Sequence, residues 1–94
     1  MYPNLRTLCG LYVQDFDLIF QQPTDPIDMF CKQHSPQAQN ELLREMVDFY
    51  QRAQTGERSI KDLIKMGLGY SPSGRDSLEW FPEAIHYLRA KTQN

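Results

Sequence analysis

Residues 35–54 carry the longest amphipathic pattern of the chain, SPQAQNELLREMVDFYQRAQ. Ser35 is a typical helix N-cap, and Pro36 suits the first helical turn, where its missing N–H group needs no partner. Apolar side chains then recur at helical spacing, at Leu42, Leu43, Met46, Phe49, Tyr50 and Ala53. We expect Glu41, Arg44, Glu45 and Asp48 on the opposite side, and Thr55-Gly56 at the end. The pattern predicts the longest helix of an all-α protein.

Start signals for further helices lie on both sides of this segment. Pro3 begins a stripe made of Leu5, Leu8, Cys9 and Tyr12. A second helix is predicted from Thr24-Asp25-Pro26, another from the capping-box spacing of Ser59 and Asp62, and a last one within residues 77–91. This last helix begins at Pro82 unless residues 77–81 form a separate turn. Short connections favour a compact, all-α, single-domain bundle of about five helices over residues 1–94.

Residues 15–20, with the sequence DFDLIF, fit no single pattern. Weak alternation predicts a short extended piece or an irregular turn that buries Phe16, Leu18 and Phe20. A helical turn is the alternative.

Charge is distributed unevenly along the 94 residues, although the net charge is only −2. Residues 1–51 hold seven acidic and three basic side chains, and no Lys or Arg occurs from Thr7 to Cys31. A nucleic-acid-binding protein normally shows a basic excess, so this class is not indicated. The acidic half either steers a basic partner or consists of solvated helix faces and caps.

The chain shows no pattern typical of an enzyme. His34 and His86 are the only histidines, and neither lies near a nucleophile with an orienting group. Asp15 and Asp17 lack a third ligand at suitable spacing, and Cys9 and Cys31 have no zinc-site spacing. We therefore expect no catalytic residue, no metal and no cofactor, and a binding protein in preference to an enzyme.

Cysteine usage and the start of the chain bear on location. Cys9 and Cys31 lie among apolar neighbours and resemble small buried hydrophobes with reduced thiols. Met1-Tyr2-Pro3-Asn4 shows no signal-peptide pattern, and no window is apolar enough to span a membrane. These observations predict a cytoplasmic protein.

Four aromatic residues lie near predicted helix ends and loops: Tyr12, Phe16, Tyr70 and Trp80. Aromatic side chains in such places are enriched in protein interfaces, but they also fill cores. The core is favoured for Phe16 and Trp80, whereas Tyr12 and Tyr70 remain open between the two.

Several motifs, in order along nearly the whole chain, resemble the small helical immunity proteins of bacterial contact-dependent growth inhibition (CDI). They are Tyr2-Pro3-x-Leu5, Gly10-x-Tyr12, Gln14-Asp15-Phe16-Asp17, Pro23-Thr24-Asp25-Pro26, Leu68-Gly69-Tyr70-Ser71-Pro72 and the aromatic helix from Trp80 to Leu88. Two positions depart from the family pattern. Phe16 stands where Trp is more usual, and Pro82 interrupts the last helix.

The resemblance implies a stoichiometric inhibitor of the toxic C-terminal domain of a large secreted exoprotein. Such toxins are often nucleases with cationic surfaces, which an acidic patch would complement. We expect a monomer that forms a one-to-one complex through Tyr12, Gln14, Asp15, Asp17, Asp25, Asp28 and Tyr70. Gln14 and Asp15 could instead lock the first helix to its neighbour. The alternative function is a small helical adaptor or regulator that binds another protein.

Overall fold

The longest helix, α4 (Pro36–Gln54), is the element on which the others assemble in the computed structural model, which describes residues 1–75 and 77–93. It packs against α1 (Pro3–Cys9), α3 (Asp25–Gln33) and α6 (Phe81–Thr92). The remaining helices are α2 (Phe16–Ile19) and α5 (Ile60–Lys65). Within the described ranges the chain is helical with no strand, so the all-α single domain is confirmed. The helix beyond the predicted five is α2.

The ends of α4 form where the sequence predicts them. The Ala38 backbone N–H donates to Ser35 Oγ at 3.2 Å, and Pro36 occupies the first turn. Beyond the C-terminus, Gly56 adopts φ 85°, a left-handed conformation that ends many helices. On its inner face, Leu42, Met46 and Phe49 are fully buried.

Two other helices begin as predicted. In α5 the Ser59 backbone N–H donates to Asp62 Oδ2 at 2.8 Å, completing a capping box. Helix α6 begins at Phe81, with Pro82 in its first turn. Pro82 therefore starts the last helix and does not interrupt it.

Residues 16–19 form the single turn α2, which was the less favoured alternative. The Phe20 backbone N–H closes this turn by donating to the Phe16 carbonyl at 2.8 Å. Phe16 is buried as expected, but the prediction for Leu18 is wrong, since 86% of it is exposed. In a helical turn Leu18 lies about 200° from Phe16, so one side chain faces the core and the other does not.

The acidic side of α4, predicted to lie opposite the apolar stripe, is only partly exposed, because Glu41 and Glu45 also hold the start of α1. Helix α1 has no side-chain cap of its own, and Tyr2 at its N-cap position has φ 56°. The backbone N–H groups of Asn4 and Leu5 both donate to Glu45 Oε1, each at 2.9 Å. Asn4 Nδ2 also donates to Glu45 Oε2 at 2.7 Å and more weakly to Glu41 Oε2 at 3.3 Å. Glu45 thus caps α1 from another helix.

Tyr2 anchors the same end of α1. Its ring packs edge-on against Phe49 with centroids 5.8 Å apart, and its hydroxyl donates to Asp48 Oδ2. This hydrogen bond, together with one from Arg52, lowers the pKa of Asp48 below its usual value.

An ion pair joins α3 to α6. Tyr87 Oη and Lys91 Nζ both donate to Asp28 Oδ1, each at 2.7 Å. Burial of Asp28 opposes its ionisation, but these two donors outweigh that effect and keep its pKa below the ordinary value.

Among the residues that the structure describes, no helix combines the length and apolar character needed to cross a bilayer.

We expect Glu45→Ala to destabilise the protein by roughly 1–3 kcal/mol, because two backbone N–H groups lose their acceptor. Glu45→Gln keeps an amide oxygen there and should cost less, and Glu41→Ala should cost least. Urea denaturation followed by circular dichroism measures all three variants. Equal stability of Glu45→Ala and the wild type would show that solvent caps α1 equally well.

The Asp28 contact predicts a specific pH dependence. Because the folded-state pKa lies below the ordinary value of 3.8, ionised Asp28 stabilises the fold above that value. This contribution disappears as the pH falls through the lower folded-state pKa. We expect Asp28→Asn to lose roughly 0.5–1 kcal/mol at pH 7 and to depend less steeply on pH between about 5 and 3. Urea titrations at several pH values test this, and parallel pH profiles of variant and wild type would contradict it.

Candidate functional site

Two motifs that are far apart in the sequence meet at one side of the bundle. The Gly69 backbone N–H donates to the Tyr12 carbonyl at 2.7 Å. A Cβ atom at Gly69 would lie 3.1 Å from Gln14 N and 3.2 Å from the Tyr12 carbonyl oxygen, closer than ordinary van der Waals contact. The absence of a side chain at Gly69 therefore lets residues 12–14 pack directly on this loop.

A stack of aromatic rings extends this contact. The rings of Phe16 and Tyr70 are nearly parallel at 8°, with centroids 4.5 Å apart. Phe16 is also parallel to Tyr12 at 5.8 Å and lies 5.2 Å from Phe20. On its other side Tyr12 contacts Trp80 at 5.1 Å. The stack fixes α2 on the core, and the expected burial of Phe16 and Trp80 is confirmed.

Tyr12 has to be removed from the predicted contact surface. Its side chain is fully buried, and its hydroxyl donates to the Pro23 carbonyl at 2.7 Å. Burial raises the pKa of Tyr12 well above its ordinary value, so the phenol stays neutral. The Pro23 carbonyl satisfies the only polar group of the side chain, which allows complete burial.

Gln14 and Tyr70 line a groove with a volume of about 660 Å³. Gln14 is exposed, whereas Tyr70 is half-buried by its stack with Phe16. The other groove residues are Ile60, Ile64, Leu68, Gly69, Ser71, Pro72, Gly74 and Arg75. Both predicted residues therefore border a recess large enough to receive side chains of another protein.

The four predicted aspartates divide into two pairs. Asp15 and Asp17 are exposed, and neither takes part in a side-chain hydrogen bond or ion pair with any residue in the described part of the chain. Asp25 Oδ2 instead accepts from the backbone N–H groups of Gln21 and Gln22, at 2.9 and 2.8 Å, and so orders the turn before α3.

Asp28 resembles Asp25, because both carboxylates accept hydrogen bonds from other residues of the same molecule. Its contact with Lys91 compensates its charge locally. Of the four predicted aspartates, Asp15 and Asp17 are thus the two whose carboxylates have no partner within the described residues and keep all their hydrogen-bonding capacity.

Sequence reasoning missed an apolar component of this surface. Leu18 and Ile19 of α2 are exposed, at 86% and 61%, and Ile64 of α5 is half-exposed. Leu18 and Phe20 were predicted to be buried with Phe16 because residues 15–20 alternate weakly, and no burial was predicted for Ile19. The signal that separates outward from inward residues here is the 100° rotation per helical residue, which requires knowing that the segment is a helix.

The two histidines and Cys9, which were also considered for chemistry, are not among the residues of this surface. His34 stacks on Phe30 at 4.1 Å, and His86 is exposed on α6. Burial raises the pKa of the Cys9 thiol to about 12, which makes it a poor nucleophile at neutral pH. Within residues 1–75 and 77–93, no three His, Cys, Asp or Glu side chains come close enough to hold a metal ion.

Comparison with known proteins agrees with the sequence motifs. A family model described as CdiI immunity protein matches residues 1–86. No curated protein and no solved structure matches the chain significantly. Because the match spans most of the sequence, from the opening Tyr-Pro motif into α6, the chain belongs to the CdiI immunity protein family.

Proposed function

We propose that this protein binds a cognate CDI toxin domain, the C-terminal part of a large secreted exoprotein, in the cytoplasm and neutralises it. The complex is one-to-one, inhibition is stoichiometric, and the toxin is a nuclease. Family membership supports the general role. The observation that supports a cationic toxin is the unpartnered pair Asp15 and Asp17, within a stretch from Thr7 to Cys31 that contains no Lys or Arg.

The negative charge of these two carboxylates suits them to binding a nuclease. An enzyme that binds nucleic acid presents basic side chains to phosphate groups. Acidic groups on an inhibitor attract the same surface and raise the association rate. Asp15 and Asp17 require no internal contact to be broken before they bind, because neither has a side-chain partner in the described residues.

The proposed contact surface combines these aspartates with Gln14 and Tyr70. Gln14 supplies an amide that can donate and accept, and Tyr70 borders the adjoining groove. Asp25 contributes charge at the edge, and Asp28 contributes less because Lys91 pairs with it. In this arrangement the protein acts by occupying its partner and carries out no reaction itself.

The function is tested with the C-terminal domain of any large exoprotein encoded just upstream of this gene. Co-purification followed by titration calorimetry should show a one-to-one complex, and nuclease activity should disappear at equimolar ratio. A complex that leaves the toxin active would favour the adaptor function, and no complex would reject this pairing.

We expect Asp15→Lys/Asp17→Lys to slow association with the toxin by about 10- to 100-fold at low salt. The reason is that two attractive charges become repulsive while no internal hydrogen bond is lost. Stopped-flow or surface plasmon resonance measures the rate, and thermal melting should be nearly unchanged.

A matched control is Glu79→Lys/Glu83→Lys, which makes the same change in net charge at two exposed carboxylates that also have no side-chain hydrogen bond or ion pair within the described residues. It should slow association much less. If the aspartate variant binds at the wild-type rate but melts earlier, Asp15 and Asp17 have a structural role instead.

A further inference from the structure

Helix α2 presents two neighbouring apolar side chains to solvent. Leu18 is 86% exposed and Ile19 is 61% exposed, although the buried Phe16 precedes them by only two and three residues. With Phe16 facing the core, a rotation of about 100° per residue places Leu18 on the outer side, between Asp15 and Asp17. An apolar projection flanked by two carboxylates is therefore the outermost part of this turn.

The backbone that carries this projection is held firmly for so short a helix. The Leu18 N–H donates to the Asp15 carbonyl at 2.9 Å, and the Phe20 N–H donates to the Phe16 carbonyl at 2.8 Å. Phe16 is locked between Tyr12 and Tyr70. A partner that covers Leu18 consequently does not have to order the turn first, so more of the gain from burial appears as affinity.

Neither Leu18 nor Ile19 is accounted for by folding. Exposed large hydrophobic side chains are expected to be scattered singly on a protein surface, whereas adjacent ones on an ordered element indicate a contact site. Charged residues at the edge and apolar residues at the centre are also the usual arrangement of a protein interface.

We propose that Leu18 and Ile19 form the apolar centre of the contact with the toxin domain, docking into an apolar recess rimmed by Lys and Arg. The inference rests on the proposed function and adds to it the chemistry of the partner's surface. The rim follows from charge complementarity, since Asp15 and Asp17 flank the projection and no basic residue lies between Thr7 and Cys31.

A second copy of the chain fits this surface less well. In a two-fold symmetric dimer the same patch meets itself. Asp15 and Asp17 of both copies would then surround the buried Leu18 side chains, and like charges brought together at an interface are unfavourable. A basic partner removes this repulsion.

The roles of centre and rim predict different kinetics, which surface plasmon resonance can separate at two salt concentrations. For Leu18→Ala/Ile19→Ala we expect a dissociation rate about 10- to 100-fold faster, because burial of apolar area is lost. Its association rate and salt dependence should remain close to wild type. For Asp15→Asn/Asp17→Asn we expect slower association and a weaker salt dependence, with a smaller change in dissociation.

Two controls accompany these variants. Leu18→Met keeps an apolar side chain of similar size and should retain slow dissociation. Melting temperatures should be nearly unchanged in all variants, because the substituted side chains are exposed.

The outcomes distinguish this inference from the proposed function. If Leu18→Ala/Ile19→Ala forms the toxin complex normally and dissociates from it at the wild-type rate, the inference is overturned and the immunity function stays intact. Failure of the wild-type protein to bind the toxin domain would overturn the function itself. Analytical ultracentrifugation tests the alternative that a second copy of the chain occupies the patch. If the wild-type protein is a dimer and Leu18→Ala/Ile19→Ala is a monomer, the patch serves self-association instead.

Discussion

The attachment of α1 to Glu45 is the interaction on which the rest of the molecule depends. A helix of seven residues without its own cap has too few internal hydrogen bonds to persist alone. Glu45 supplies one carboxylate oxygen to two of its first backbone N–H groups, and Tyr2 and Asp48 add a second attachment. With α1 in place, the chain that leaves it delivers Tyr12 to the core.

Tyr12 connects the core to the exposed turn α2. Its ring supports Phe16, and Phe16 in turn stacks on Tyr70 from the loop after α5. Gly69 allows the two segments to approach because a side chain there would meet Gln14 N and the Tyr12 carbonyl. Apart from the buried Phe16, the side chains of residues 14–19 are therefore exposed on an ordered backbone, which suits a surface that binds another protein.

Local signals made much of the fold predictable. Ser35-Pro36, the Ser59–Asp62 box and Pro82 each mark a helix start through contacts within a few residues, and all three helices begin there. Helix α2 was harder to predict because four residues contain too little repetition to separate a helical period from an alternating one. The error at Leu18 follows directly from that ambiguity.

The harder errors concern relations between distant residues. Glu41 and Glu45 were placed opposite the apolar stripe, but nothing in the sequence of α4 shows that another helix begins beside them. The sequence left Tyr12 open between core and surface, because it does not show that the Tyr12 hydroxyl contacts the Pro23 carbonyl. The exposure of Asp15 and Asp17 agrees with their predicted place on the surface, while their contact with a toxin remains a prediction.

The capping of α1 by Glu45 from another helix also bears on the order in which parts of the chain become ordered during synthesis. Glu45 lies 40 residues beyond Leu5, so the opening segment is synthesised before its acceptor. We therefore expect α1 to gain its cap only once α4 has formed, and α2 to gain its full support only once Tyr70 has been added. The first residues made are thus among the last to be secured, and the α2 surface reaches its final form only in a nearly complete chain.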